Sequence, residues 1–166
     1  MACSDTVLAG VIAALRAAHP YEEPPIHVIP LAAHPLNDSG MGRVLRLSKS
    51  RSIGDIVTDL KSALGVDHVR VADGGMDTHH VVACCPGAGG GLVDTARAAG
   101  ATLFLTGEMR HHDVLAAKAS GMTIVLAGHT NTERGYLPTL RDRLAAAMPA
   151  SDVMISDEDR TPWSVH

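Results

Sequence analysis

Residues 122–133 read "MTIVLAGHTNTE". A short apolar run, 122–127, stops at glycine and gives way to polar residues that open a helix. The same succession occurs twice more. The run 81–85 leads through "CPGAGGG" (85–91) to a helix over 91–99 ended by Gly100, and the run 102–105 leads through "TGEMRHHD" (106–113) to a helix over 110–119 ended by Gly121. Short apolar strands alternating with helices of about ten residues indicate parallel strands with crossover helices. The expected fold class is therefore α/β with a mostly parallel sheet. In such sheets ligands bind outside the carboxyl ends of the strands. Parallel strands would thus gather the three polar loops on one edge.

The rest of the chain fits around this core. Residues 5–18 carry an apolar stripe of Val7, Leu8, Val11, Ile12 and Leu15, which predicts a helix, and "IHVIPL" (26–31) predicts a strand. The Pro-, Asn-, Asp- and Gly-rich stretch 32–40 reads as a connector. It sets expected domains of 1–38 and 39–166. A strand at 42–47 then precedes a helix over 53–64, capped by Ser52 and closed by Gly65. Strands at 68–72 and 79–85 are joined by the turn "DGGMDT", a helix spans 132–147, and a last strand spans 152–155.

Composition narrows the partners. The chain has 166 residues, 46% of them apolar, but only one Trp, two Tyr and one Phe. No aromatic platform for single-stranded nucleic acid is visible. The net charge of -4 comes without any run of Lys or Arg, which argues against nucleic acid and anionic membranes. No stretch approaches the ~20 apolar residues of a membrane span. The N-terminal residues do not read as a signal peptide, and Cys3, Cys84 and Cys85 suit a reducing compartment, so a cytoplasmic location is expected.

Ten histidines make the clusters His79-His80, His111-His112 and His129 with Glu133 stand out. His79-His80 begins a strand and falls at the edge opposite the polar loops, so it reads as surface or turn. His129 and Glu133, four apart, share one face of a helix and could give one nitrogen and one oxygen to a metal. The same letters spell a capping box, with Thr130 as N-cap and Glu133 as its partner. Gly87, Gly89 and Gly90 could bring backbone N–H groups to an anion or phosphate, or could simply allow tight packing. Glu108, His111, His112 and Asp113 stand at a helix entrance, where carboxylates complement the helix dipole and one histidine could act as acid or base.

Taken in order, these stretches resemble the NIF-three-like family of dinuclear-metal proteins, called GTP cyclohydrolase type 2 homologues. "VIAALRAAHPYEEPPIHVIPL" is similar to the end of the family's CutA-like inserted domain, "GMGRV" to its re-entry strand, "VVACCPGAGGGLV" to its glycine loop, "FLTGEMRHHD" to "YLTGDxKYHD" and "AGHTNTERG" to "GHxxTE". Leu45 stands where the family often has a second glycine. The resemblance implies a partial ferredoxin-like helix–strand segment over 1–38 and a metal-binding α/β domain over 39–166. It makes His129 and Glu133 ligands of a two-metal centre of zinc, iron or manganese. It selects His112 over His111 as a catalytic residue beside Glu108, and it leaves Gly87, Gly89 and Gly90 to hold a nucleotide's phosphate. The implied activity is hydrolytic, of GTP cyclohydrolase type, in a ring-shaped homo-hexamer. The family's other ligands come from a preceding domain with a His-His-Pro motif, and these 166 residues contain none. The resemblance therefore implies half of a site, with the other half on a separate N-terminal partner, removed from a longer gene product or lost; the alternative is a non-catalytic metal-binding or oligomeric scaffold module.

Overall fold

The computed structural model describes residues 3–30 and 40–164. The chain divides into two compact units, Met1–Asp38 and Ser39–His166.

In the first unit, a 3-10 turn, Asp5–Val7, runs into helix α1, Leu8–Ala18. The expected strand over 26–31 is not formed: residues 26–30 belong to no sheet, and Leu31 lies outside the described residues. A strand needs a partner for its backbone donors and acceptors, and α1 offers none. Val28 and Ile29 are exposed, and Pro30 has no N–H to give. Among the described residues this unit holds the 3-10 turn and α1, and no strand. No ferredoxin-like arrangement is formed among the described residues.

The second unit is built on a five-stranded sheet in the order β1-β3-β4-β5-β2. The strands are β1 (Arg43–Ser52), β2 (Arg70–Ala72), β3 (Thr78–Cys85), β4 (Leu103–Thr106) and β5 (Thr123–Leu126). β3, β4 and β5 are parallel, whereas β1 runs antiparallel to β3 and β2 antiparallel to β5. The expectation of a mostly parallel sheet thus holds for the centre and fails at both edges. β2 and β3, joined by the segment read as a turn, are not neighbours in the sheet. Three strand spacings of ~4.8 Å separate them, and the segment 73–77 covers that distance at up to ~3.5 Å per residue. The Gly74 N–H is held on the way by the Thr123 hydroxyl at 3.0 Å.

Burial follows the topology. Every residue of β5 is buried, as are Leu103, Phe104 and Thr106 of β4, the pattern of central parallel strands covered on both faces. β3 alternates, sending Val81, Ala83 and Cys85 inward. Val93 and Ala96 of helix α3 (Val93–Ala98) and Ala117 of helix α4 (His111–Ala119) complete the core with Met122. The alternation also takes His79 inward, correcting the surface reading. The ring is fully buried at the N-terminal end of β3, its Nδ1 2.9 Å from the Thr102 hydroxyl. Its Nε2 has no hydrogen-bond partner, and burial lowers its pKa against an opposing contribution from Asp73.

Helix α2, Ile53–Leu64, begins where Ser52 Oγ accepts the Asp55 N–H at 3.1 Å and ends at Gly65 in the left-handed conformation. The single helix expected over 132–147 is two helices, α5 (His129–Arg134) and α6 (Leu137–Ala147). Gly135 ends the first, and Pro138, whose missing N–H costs nothing in a first turn, starts the second. The strand expected over 152–155 is also absent. Val153, Met154 and Ile155 instead share a shallow groove with Leu137, Leu140 and Leu144 of α6, and Arg134 Nε donates to Asp159 Oδ2 at 2.7 Å. Among the described residues no helix is long and apolar enough to cross a membrane.

Candidate functional site

The parallel run β3-β4-β5 places the loops 86–89, 107–110 and 127–128 at one edge, the carboxyl ends of those strands. They are joined there by a knot centred on Gly87. Its carbonyl accepts from the N–H groups of Gly107 (2.9 Å) and Glu108 (3.0 Å) and from the Thr106 hydroxyl (3.0 Å). Its N–H donates to Thr132 Oγ1 at 2.9 Å, and the Thr132 hydroxyl in turn donates to the His129 carbonyl at 2.8 Å. One glycine therefore ties the loop after β3 to the loop after β4 and to α5. A Cβ at Gly107 would come within 2.7 Å of the His129 Cα, so the loop after β4 lies directly against the start of α5.

On this knot stand three polar side chains. α5 starts at His129, not at Thr130, and its N-cap is Gly128 without a side-chain cap. Glu133 is thus no capping-box partner. It lies one turn along from His129 on the same face, its Oε2 3.4 Å from His129 Nε2. On the other side of the ring, Glu108 Oε1 is 2.9 Å from Nδ1. The imidazole is 42% exposed and each carboxylate 53%, so all three are open to solvent on one side. The hydrogen bond to Glu108 raises the pKa of His129 above the ordinary histidine value, helped by the nearby charge of Glu133 and opposed by desolvation.

This donor pair fits a divalent ion in two respects. Two donors each ~2.1 Å from one tetrahedral ion stand ~3.4 Å apart, the separation observed between Nε2 and Oε2. The space in front of the pair is kept open by the absence of a side chain at Gly87. A Cβ there would come 2.6 Å from Glu133 Oε1 and 3.1 Å from His129 Nε2, and the residue's φ of +66° is one that L residues rarely adopt. Imidazole nitrogen with carboxylate oxygen suits zinc, iron or manganese. Among the described residues no three His, Cys, Asp or Glu side chains form a metal-holding group. The pair alone offers two donor atoms.

The other expected site residues are placed differently. Gly87 and Gly89 give their N–H groups to the hydroxyls of Thr132 and Thr106, so these two amides are engaged within the knot rather than turned to an anion. Gly90 adjoins Met109 and Asp113. His112 is exposed on the first turn of α4, its ring 5.8 Å from that of His111, and no hydrogen bond or ion pair links it to His129 among the described residues. Asp113 is paired with Arg110 at 2.9 Å. Thr106 and Thr132 were missed from sequence. For Thr106 the signal was there, a hydroxyl residue ending an apolar run beside Gly107 in "TGE"; Thr132, inside α5 in "HTNTE", carried none. Arg70, at the start of β2, was also missed. It lines a shallow cleft with Gly90, Glu108 and Arg110 beside the knot.

Known proteins are similar to this chain in sequence and in fold. The chain is 38% identical over 141 residues to NIF3-like protein 1 of Homo sapiens, covering 82% of this chain and 36% of that protein. It is 33% identical over 164 residues to the GTP cyclohydrolase 1 type 2 homolog of Mycobacterium tuberculosis, covering 95% and 42%. Among solved structures, the Bacillus cereus protein related to NIF3 superposes with a TM-score of 0.65 at 26% identity, over 99% of this chain and 46% of that one. The chain spans less than half the length of these relatives. The Duf34/NIF3 (NGG1p interacting factor 3) family profile matches residues 6–162, and the chain belongs to that family.

Proposed function

We propose that this chain contributes His129 and Glu133 to a divalent-metal centre whose remaining donors come from a preceding segment or another polypeptide. The observation that carries the reading is the 3.4 Å separation of Nε2 and Oε2 across the open face of Gly87. When bound, the ion would supply Lewis acidity and a lowered pKa for water, the basis of hydrolytic chemistry on a carbonyl or phosphoryl group. The name GTP cyclohydrolase 1 type 2 homolog carried by relatives supports a nucleotide as the substrate class. His129 and Glu133 hold the ion, Glu108 holds the His129 ring, and His112 is the group at the α4 entrance able to carry a proton. Gly90, which lines one cleft with Arg70, is the part of the glycine loop left to meet a phosphate. Assembly into a homo-oligomeric ring would bring further copies of the site together.

A second reading is a metal-binding or scaffold module without turnover. It is favoured by the absence of any three-donor group among the described residues. Both readings are tested by titrating zinc and manganese into the chain by calorimetry, alone and with the preceding segment of a family relative added, while following GTP by chromatography. Metal affinity that is lost in His129→Ala supports the ligand assignment, and equal affinity in wild type and variant overturns it. Bound metal with intact GTP in the complemented sample replaces the enzymatic reading with the scaffold.

A further inference from the structure

We propose that Glu108 is a positioning residue that fixes the His129 ring in the Nδ1–H tautomer and so aims the Nε2 lone pair at the metal position. This inference rests on the metal-centre reading above. A neutral imidazole has one N–H and one lone pair, and an ionised carboxylate can only accept. With Glu108 Oε1 2.9 Å from Nδ1, the proton belongs on Nδ1. Nε2 is then left as the acceptor nitrogen, facing Glu133 across 3.4 Å. In the neutral ring the Nε2–Glu133 approach places a lone pair opposite a carboxylate, which is unfavourable until a second proton or a metal ion lies between them.

The backbone supports this role. The Glu108 N–H and its neighbour, the Gly107 N–H, both donate to the Gly87 carbonyl, so the residue is held from the same knot that keeps the donor space open. Glu108 comes from the loop after β4, whereas the two donors come from α5 after β5. The ring is therefore oriented from a separate strand and does not depend on its own short helix. A carboxylate bonded to the far nitrogen of a metal-binding histidine sets the tautomer and raises the basicity of the ligand. Glu108 occupies that position, and its contact with Nδ1 places it on the side of the ring away from the donor pair.

The test separates orientation from ligation. Long-range nitrogen–proton NMR of the metal-free chain at alkaline pH reads the His129 tautomer directly. The wild type shows Nδ1–H. Glu108→Gln keeps it, since the amide oxygen still accepts, and Glu108→Ala loses it. Calorimetry with zinc then gives an affinity weakened about 10- to 100-fold in Glu108→Ala and largely restored in Glu108→Gln. A wild-type ring in the Nε2–H form overturns the assignment of Glu108. So does Glu108→Gln binding zinc as weakly as Glu108→Ala, which would mark Glu108 as a ligand. Failure of the metal reading itself looks different: zinc affinity unchanged by His129→Ala, whatever the tautomer.

Discussion

Replacing Gly87 with alanine tests whether the open face in front of His129 and Glu133 is a requirement of the site. Two effects are expected, and they can be separated. The residue has φ +66°, where an L side chain costs about 1–2 kcal/mol. At roughly 3–5 °C per kcal/mol for a domain of this size, the melting temperature should fall by roughly 3–10 °C. The new Cβ would also stand 2.6 Å from Glu133 Oε1 and 3.1 Å from His129 Nε2. The Gly87 backbone is held by hydrogen bonds to Thr106, Gly107, Glu108 and Thr132, so the side chains must give way. Displacing one of two donors should weaken metal binding at least about tenfold, equivalent to 1.4 kcal/mol. Gly100→Ala is the control: its φ is +86°, so it incurs a similar backbone cost, but nothing lies within 4 Å of its added Cβ. Melting curves should show both variants destabilised, and zinc titration should show only Gly87→Ala impaired. Wild-type affinity in a folded Gly87→Ala would refute the argument that the glycine exists to admit a cation.

Two further outcomes follow from the same geometry. Thr132→Val leaves the Gly87 N–H and the His129 carbonyl without their shared partner, at a cost of about 1–3 kcal/mol in denaturant unfolding; an unchanged midpoint would show that the knot contributes nothing. His79 is buried with its pKa lowered, so the unfolded chain takes up a proton that the folded chain resists. Its contribution to stability is complete above the ordinary histidine value of about 6.5 and falls as pH drops below it. Denaturant melts from pH 7 down to about pH 5 should show this slope, and a His79→Gln chain should have it reduced.

Much of this was legible in the sequence because it is periodic or local. The strand–loop–helix units that begin at Val81, Thr102 and Met122 were readable because buried parallel strands are continuous apolar runs, and Ser52 and Gly65 bounded α2 because capping chemistry is local. What failed depended on partners. The apolar runs at 26–31 and 153–155 have strand composition, but composition does not supply a neighbouring strand. β1 and β2 were seen as strands, yet their direction is set by where the chain enters the sheet. His79 was read together with His80 as a surface pair, although alternation along β3 separates them onto opposite faces. At the site, spacing alone left Glu133 divided between a helix cap and a metal. The start of α5 at His129 decides against the cap. The contact between Glu108 and His129, 21 residues apart, had no local signal at all.

The central claim is that Nε2 of His129 and the carboxylate of Glu133 bind one divalent ion together. Anomalous diffraction at the zinc edge, from crystals of the chain soaked in zinc, tests this most directly. A peak is expected within ~2.3 Å of both His129 Nε2 and Glu133 Oε2, on the open side of Gly87, and is expected to disappear in His129→Ala. Zinc bound elsewhere with this pair bare, or a peak on Nδ1 in place of Glu108, would contradict it.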